Sequence, residues 1–237
     1  MSELRALHYE HEGVGLIGQL AVPDGPGPHP GLLVMHNAHG LGEQVRERAL
    51  RLADAGYVAL ATDMYGDGRL FATPQETGAP FAALQDAPER LRGRVLAAYD
   101  ALRALPQVDV SRIGAVGFCF GGQCVLELAR SGADVKAVVS FHGLLKTRLP
   151  ARPGEVKAKV LVLTGARDPF VPAEDVQTLQ TEMTAAGANW QLTVYGEGFH
   201  AFSDTDADEA PVPGLRYDPL IDKLSWAQAT AFLEALV

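Results

Sequence analysis

Short apolar runs alternate along this chain with longer stretches in which apolar residues recur every three or four positions. The short runs predict eight strands and the longer stretches five helices, because the two elements bury faces with those spacings. The predicted strands are Arg5–Glu10, Leu16–Val22, Gly31–His36, Tyr57–Ala61, Arg112–Phe118, Val135–Phe141, Lys159–Thr164 and Gln191–Tyr195. The predicted helices are Gln44–Ala55, Glu89–Leu105, Gly121–Ser131, Ala173–Ala186 and Lys223–Leu236. This alternation favours an α/β fold, with a mostly parallel sheet covered by helices on both faces and an antiparallel hairpin at its start.

Two segments depart from the alternation. Residues 66–88 are rich in Gly, Pro, Thr and Ala and are too long for a plain connection. We expect a loop that shapes a pocket there, rather than a disordered surface excursion, because the segment follows a predicted strand. Residues 204–219 are rich in acids and lack periodicity, so we expect them to wrap the surface before the last helix.

The composition is that of a globular protein, with 237 residues of which 47% are hydrophobic and 21% are charged. We expect a single domain over residues 1–237, present as a monomer or a homodimer. A formal net charge of −9, without any run of Lys and Arg, argues against a nucleic-acid partner. The first residues lack the apolar stretch of a secretory signal and no apolar run could span a bilayer, so we expect a cytoplasmic protein without a membrane partner.

A cysteine stands at the centre of residues 117–121, Gly-Phe-Cys-Phe-Gly, between an apolar strand and a helix. Glycine-x-nucleophile-x-glycine is the pattern of a sharp, strained turn that exposes a nucleophile, and side chains at the two glycines would collide with neighbouring backbone. A free cysteine can also be a small buried apolar residue, which is our interpretation of Cys124. For Cys119 the turn favours a catalytic role.

Two later strand ends supply the partners that a cysteine nucleophile needs. Asp168 follows the strand that ends at Thr164, and His200 follows the strand that ends near Tyr195. Reactive groups of an open α/β sheet gather at the carboxyl ends of its strands, and the chain order nucleophile, acid, histidine is that of the α/β-hydrolase fold. We expect His200 to take the thiol proton of Cys119, and Asp168 to orient the imidazole.

The negative charge that develops on the substrate oxygen requires hydrogen-bond donors. Position alone predicts two backbone N–H groups for this oxyanion hole. One belongs to Phe120, which follows the nucleophile, and the other to Ala38, in the loop after the third predicted strand.

Four segments resemble landmarks of the dienelactone hydrolase family: residues 61–66, 117–122, 165–169 and 198–202. The resemblance extends from about Gly31 to the C-terminus. It implies a small, cofactor-free α/β-hydrolase that uses a Cys119-Asp168-His200 triad on small-molecule ester or lactone substrates, through an acyl-cysteine intermediate.

Two positions depart from that family's pattern. Dienelactone hydrolases carry a glutamate that takes part in activating the cysteine, and the matching position here is Asn37. They also carry an arginine, shortly after the histidine, that helps to hold the substrate carboxylate, and the matching position is Asp204. Since Asp204 would repel an anion, we expect a neutral ester or thioester rather than a dienelactone. Without the glutamate, we expect a plain thiolate–imidazolium balance between Cys119 and His200.

Three further histidines, His36, His39 and His142, stand near strand ends on the same edge of the predicted sheet. Neither their spacing nor a nearby carboxylate matches a ligand pattern, so we expect no metal ion. Asn37, His39, His142 and Phe170 are candidates for lining the substrate pocket. The alternative for His39 and His142 is a polar strand end that is satisfied by hydrogen bonds.

Only about 18 residues separate two of the later strands, counting Phe141 to Ala158, which leaves no room for a large cap domain. We therefore expect a shallow pocket, with Phe71 and Phe81 as further apolar walls. Asp63 ends a strand at the same edge, and we interpret it as a hydrogen-bonded loop anchor without a catalytic role.

Three functions fit these observations. The first is a hydrolase of carboxylic esters, lactones or thioesters. The second is a catalytically weak protein of the same fold that binds a small ligand or senses oxidation through its thiol, although such a protein has no need of Asp168 and His200. The third is a cysteine peptidase, which would need an extended groove that the sequence does not indicate.

Overall fold

The chain forms an eight-stranded sheet with the strand order β1-β2-β4-β3-β5-β6-β7-β8. The computed structural model describes residues 3–209 and 212–237. The strands are β1 (Leu4–His11), β2 (Val14–Ala21), β3 (His29–Met35), β4 (Val58–Ala61), β5 (Val108–Phe118), β6 (Ala137–Phe141), β7 (Lys159–Gly165) and β8 (Asn189–Tyr195). The pairs β1–β2 and β2–β4 are antiparallel and the other pairs are parallel. The predicted sheet, with its antiparallel hairpin, is confirmed.

In the described residues, six α-helices cover both faces of the sheet. They are α1 (Glu43–Asp54), α2 (Pro74–Gln85), α3 (Pro88–Arg103), α4 (Phe120–Arg130), α5 (Ala173–Ala185) and α6 (Pro219–Glu234). One apolar core lies between the sheet and α3, α4 and α5, and a second lies between the sheet and α1 and α6. The central strands are buried on both faces, which explains why they appear in the sequence as continuous apolar runs.

Helix α2 corrects the expectation of a loop over residues 66–88. The Thr73 hydroxyl accepts a hydrogen bond from the Glu76 N–H at 3.3 Å, and the Glu76 carboxylate accepts one from the Thr73 N–H at 3.3 Å. This reciprocal capping box, with Pro74 at the first helical position, starts the helix. The sequence Thr-Pro-Gln-Glu carried the signal, but the glycine and prolines around it concealed the helix.

The segment before the last helix is irregular, as predicted, apart from a short 3-10 turn at Ala207–Glu209. Residues 210–211 of that segment lie outside the described residues. Helix α6 begins at Pro219, four residues before the predicted Lys223, because the Asp218 carboxylate accepts hydrogen bonds from the N–H groups of Leu220 and Ile221, both at 3.0 Å.

The carboxyl ends of the six parallel strands meet at one edge of the sheet, and the loops at this edge carry every candidate site residue. In residues 3–209 and 212–237 no large cap domain covers this edge, and the connection from β6 to β7 contains no helix. None of the helices in these two ranges is long and apolar enough to cross a membrane.

Candidate active site

Cys119 occupies the turn between β5 and α4 in a strained conformation, with φ 55° and ψ −114°. A Cβ atom on Gly117 would lie 2.0 Å from the carbonyl oxygen of Gly121, and one on Gly121 would lie 2.2 Å from that of Met35. Both glycines are therefore required for this backbone path. Helix α4 begins at Phe120, one residue before the predicted start, so Cys119 is its N-cap residue. Its side chain is half-buried, whereas that of Cys124 is fully buried.

The structure brings Asp168 and His200 together beside this turn. The Nδ1 atom of His200 lies 2.7 Å from an oxygen of Asp168, and the two residues are only 3% and 4% exposed. The other Asp168 oxygen accepts a hydrogen bond from the Phe170 N–H at 2.8 Å, which holds the carboxylate in place. The Cys119 side chain lies near enough to His200 to interact with the imidazole and to favour its protonated form. Since Nδ1 faces the carboxylate, Nε2 is the ring nitrogen left for the thiol.

Opposing effects act on the protonation of His200. Burial disfavours the imidazolium, but the negative charge of a Cys119 thiolate and the hydrogen bond that the ring donates to the Asp168 carboxylate favour it more strongly. The net result raises the pKa of His200. The geometry therefore suits a thiolate paired with an imidazolium.

Two of the predicted pocket residues pack directly against His200. The ring of Phe170, which is 43% exposed, lies 5.0 Å from the imidazole in an edge-on arrangement. The ring of His142 lies 5.4 Å away on a buried side, and its Nε2 atom is 2.8 Å from the hydroxyl of Ser203. Burial and the nearby His200 charge lower the pKa of His142, so this ring stays neutral behind the site.

The two positions that depart from the family pattern contact each other. The Asn37 amide donates a hydrogen bond to the Asp204 carboxylate at 3.1 Å, and its carbonyl accepts one from the His39 N–H at 3.0 Å. Burial raises the pKa of Asp204, helped by the nearby Asp206 charge. The site edge therefore carries an acid that no arginine or lysine neutralises in the described residues.

The remaining predicted residues lie in the loop after β3 and at the start of α4. The Nδ1 atom of His39 lies 3.2 Å from the hydroxyl of Thr77 on α2. The carbonyl of Ala38 accepts a hydrogen bond from the Tyr65 hydroxyl at 2.8 Å. Among the described residues, the N–H groups of Ala38 and Phe120 have no hydrogen-bond acceptor. Both N–H groups are therefore free to donate, and that of Phe120 directly follows Cys119 in the chain.

Aromatic residues from α2 and from the connection between β4 and α2 form a cluster with Phe120. Phe81 of α2 approaches its ring edge-on at 5.4 Å, and Tyr65 stacks on it at 6.0 Å. Phe71 packs against Tyr65 at 5.3 Å, behind the first layer. Phe81 therefore contributes to the apolar surroundings of the site through the ring of Phe120, and Phe71 does so through the ring of Tyr65.

Asp63 anchors the loop after β4, as predicted. Its two carboxylate oxygens accept hydrogen bonds from four backbone N–H groups at 2.7–2.9 Å, those of Ile17, Tyr65, Gly66 and Gly68. Sequence reasoning did not single out Tyr65 or Ser203, which both contact site residues. Tyr65 lies in the family-like segment 61–66, so its position was signalled although its contact was not.

Two surface cavities lie away from this arrangement. One of about 790 Å³ lies between α1 and α6, and one of about 310 Å³ lies beside α4. Neither is lined by Cys119, Asp168 or His200. The side-chain geometry, not cavity size, therefore identifies the site. No cluster of three His, Cys, Asp or Glu side chains in the described part of the chain could hold a metal ion.

The chain is similar to known proteins of one hydrolase family. The sequence profile of the dienelactone hydrolase family matches residues 16–237. A putative carboxymethylenebutenolidase of Yersinia pestis is 31% identical over 207 residues, which cover 81% of this chain and 76% of that protein. A probable 2-oxo-3-(5-oxofuran-2-ylidene)propanoate lactonase of Bradyrhizobium is 29% identical over 235 residues, covering 93% and 90% of the two chains.

A solved structure shares the whole fold. It is that of a dienelactone hydrolase-like promiscuous phosphotriesterase from metagenomic libraries, with a TM-score of 0.93 and 36% identity. The match covers 99% of this chain and 98% of that one.

Proposed function

Because the chain belongs to the dienelactone hydrolase family of hydrolases, we propose that it hydrolyses neutral carboxylic esters, lactones or thioesters through an acyl group carried on Cys119. One observation carries the proposal: a half-buried thiol on a strained turn interacts with a histidine whose Nδ1 atom lies 2.7 Å from a buried carboxylate.

The first half of the reaction acylates the cysteine. The Cys119 sulfur attacks the carbonyl carbon, its proton residing on Nε2 of His200, and the C=O bond opens to a tetrahedral oxyanion. The oxyanion collapses, the bond to the leaving alkoxide or thiolate breaks, and His200 protonates the departing group. Asp168 stabilises the imidazolium throughout.

The second half returns the enzyme to its starting state. His200, now neutral, takes a proton from a water molecule, whose oxygen attacks the acyl carbon of the thioester. The second oxyanion collapses and the carbon–sulfur bond breaks, releasing a carboxylic acid and leaving a thiolate–imidazolium pair. The N–H groups of Ala38 and Phe120 serve as donors to both oxyanions, since neither has another acceptor in the described residues.

The charge of the site restricts the substrate. Asp204 lies at the site through its hydrogen bond with Asn37, and its carboxylate would repel a substrate that carries its own carboxylate. A neutral acyl compound avoids this repulsion. The proposal therefore excludes a dienelactone as the preferred substrate.

A second substrate class merits a place in the same assay. The whole-chain match, at 36% identity, is to a protein described as a promiscuous phosphotriesterase. A phosphotriester is also neutral, and attack of the Cys119 sulfur at phosphorus would place negative charge on the phosphoryl oxygen, within reach of the same kind of donors.

Turnover of chromogenic substrates by the native protein and by Cys119→Ala tests the proposal. The panel contains neutral p-nitrophenyl esters, an aryl lactone, a neutral thioester and a dialkyl aryl phosphotriester. We expect the substitution to lower kcat by about 10⁴ or more, because the nucleophile is lost. Mass spectrometry of the native protein, quenched during turnover, should show one acyl group on the peptide that contains Cys119.

Cys124→Ala is the matched control, since its thiol is fully buried and only five positions away. It should retain native kcat. Activity in Cys119→Ala equal to that of the native protein would overturn the proposal. If the protein turns over none of the panel but binds the esters, it is instead a ligand-binding protein. If it turns over none of the panel but forms a sulfenic acid at Cys119, it is instead a thiol-sensing protein.

A further inference from the structure

Two consecutive backbone carbonyls after β3 are held by side chains from within the protein. The Nδ1 atom of His36 lies 2.6 Å from the carbonyl oxygen of Asn37, and the Tyr65 hydroxyl lies 2.8 Å from that of Ala38. The first carbonyl shares a peptide unit with the Ala38 N–H, and the second is the carbonyl of Ala38 itself. The Ala38 N–H has no acceptor in the described residues. Nothing in the reaction steps above uses His36 or Tyr65.

The contacts of His36 determine its tautomer. Its Nε2 atom lies 3.2 Å from the backbone N–H of Met64, which can only donate. Nε2 must therefore be the acceptor, and in the neutral ring the hydrogen lies on Nδ1. His36 is 1% exposed, and this burial lowers its pKa, which keeps the ring neutral. The Nδ1–H group thus donates to the Asn37 carbonyl.

That hydrogen bond controls the direction of the Ala38 N–H. The Asn37 carbonyl and the Ala38 N–H belong to the same peptide unit, which is planar and trans, so they point in opposite directions. Turning the carbonyl inward to His36 turns the N–H outward. The imidazole therefore sets the orientation of a donor that it does not touch.

Tyr65 holds the next peptide unit in the same way. Its hydroxyl donates to the Ala38 carbonyl, while the N–H at the other end of that unit, from His39, donates to the Asn37 side chain at 3.0 Å. The two peptide units that meet at Ala38 are thus held by His36 and Tyr65 respectively. Rotation of either unit would break at least one of these hydrogen bonds.

Tyr65 also contacts the residue that supplies the second predicted donor. Its ring stacks on Phe120 with an interplanar angle of 15°, and the ring of His36 lies 5.3 Å from Tyr65 and 6.1 Å from Phe120. The backbone of Tyr65 is anchored by Asp63, which accepts its N–H at 2.8 Å. His36, Tyr65 and Phe120 therefore form one aromatic cluster, which connects the two residues, Ala38 and Phe120, that supply the predicted donors.

We propose that His36 and Tyr65 are positioning residues that hold the N–H groups of Ala38 and Phe120 as an oxyanion hole, without contacting the substrate. This inference rests on the proposed function, because an oxyanion hole has a role only if an acyl or phosphoryl oxygen gains charge at the site.

Tyr65→Phe and His36→Ala test the inference with two reactions of Cys119. For ester turnover we expect kcat to fall about tenfold in Tyr65→Phe and by a larger factor in His36→Ala. Both losses should be smaller than the roughly 10²–10³-fold loss that follows when an oxyanion donor is deleted outright. KM should change less than about twofold, because the interaction is made in the transition state. Alkylation of Cys119 by iodoacetamide should keep its native rate, since displacement of iodide develops no oxyanion.

Conservative variants and a distant control separate positioning from general damage. Tyr99→Phe removes a similar bond, from a buried tyrosine hydroxyl to the Asp134 carbonyl at 3.1 Å, and should leave kcat unchanged. His36→Asn retains an N–H donor near the position of Nδ1 and should recover part of the activity lost in His36→Ala. Thermal unfolding of each variant shows whether it is folded under assay conditions.

A trifluoromethyl ketone, which forms a tetrahedral oxyanion with a thiolate, gives a readout independent of turnover. Its affinity should fall in Tyr65→Phe by the same factor as kcat. An unchanged kcat in both variants, or a parallel loss of the alkylation rate, would overturn the inference while leaving the proposed function intact. If Cys119→Ala retained turnover, the proposed function itself would fail.

Discussion

At the scale of single residues, the pair of Asn37 and Asp204 sets the electrostatics of the site. Burial and the Asp206 charge raise the pKa of Asp204, although the hydrogen bond from Asn37 partly offsets this. An acid with a raised pKa in the folded state binds its proton more tightly there than in the unfolded chain. Its contribution therefore favours folding at low pH and is lost as pH rises through the folded-state pKa.

Asp204→Asn should raise Tm at neutral pH, because it removes a carboxylate whose charged form is disfavoured in the fold. At about pH 3, below the unfolded pKa of an aspartate, wild type and variant should have similar Tm values. Differential scanning calorimetry at both pH values checks this. A gain of Tm that is the same at both pH values would contradict the electrostatic explanation.

The same variant should change substrate choice. For an ester that carries a carboxylate, kcat/KM should rise roughly tenfold relative to its neutral isostere, because a nearby like charge has been removed. The gain should shrink as salt is added. Glu10→Gln, at an exposed acid in β1, provides the control for loss of one negative charge.

Sequence reasoning selected Cys119, Asp168 and His200 as candidates because their places at strand ends and in a glycine-flanked turn are visible in the chain, and in the structure Asp168 and His200 are hydrogen-bonded to each other. It could not identify the contacts of His36 and Tyr65. Those depend on which way two peptide units face and on which nitrogen carries a hydrogen, and neither has a compositional signature. Likewise, matching to a family predicted unusual residues at positions 37 and 204 but not the hydrogen bond between them.

At the scale of elements, all eight strands and five of the six helices of the described residues could be predicted, because each has either a periodic apolar pattern or a continuous apolar run. Helix α2 could not, since only Thr77 and Leu84 among its side chains are buried and it contains a glycine and an internal proline. Local capping, rather than an apolar face, starts this helix. Its contribution to the site is nevertheless direct, through Thr77 against His39 and Phe81 against Phe120.

Thr73→Ala should therefore loosen α2 specifically. Loss of an N-cap side chain costs about 1 kcal/mol, and here it also removes one half of the capping box. Hydrogen exchange should accelerate in residues 74–85 by roughly fivefold, the factor that corresponds to this free energy. Thr178→Ala is the control, because that hydroxyl bonds to the Glu174 carbonyl inside α5. Equal protection of α2 in variant and wild type would show that the cap is not what holds the helix.

At the scale of the whole molecule, each layer of helices is held together by a buried or half-buried arginine. On one face, Arg130 of α4 is fully buried and bonds to Glu182 of α5 at 2.8 Å, and to Glu127, which also bonds to Arg92 of α3. On the other face, Arg48 of α1 bonds to Asp222 of α6 at 2.8 Å and stacks on Trp226 at 4.5 Å. The Arg130–Glu182 and Arg48–Asp222 pairs join residues that are 52 and 174 positions apart in the chain.

Arg130→Met should destabilise the protein by about 3–5 kcal/mol, because it removes the cationic partner of Glu182, which keeps only the Ala151 N–H as a donor, and one of the two cationic partners of Glu127. Adding Glu182→Gln should recover part of the loss. Arg112→Met, which breaks a more exposed pair with Asp109, should change the free energy of unfolding by less than about 1 kcal/mol. Urea denaturation of the four proteins measures these differences, and similar losses for Arg112→Met and Arg130→Met would contradict the argument.

The close approach of Gly121 to the end of β3 limits where this protein can be diversified. A side chain at Gly121 would meet the Met35 carbonyl at 2.2 Å and the His36 carbonyl at 2.8 Å, so the backbone turn that carries Cys119 packs against the end of the strand that leads to Ala38. A mutational library in residues 117–122 or 35–38 should consist mostly of inactive members. Variation should be tolerated in α2 and around residue 204, which border the same site through side chains alone. New substrate ranges are therefore to be sought in these two regions, with the reactive centre left unaltered.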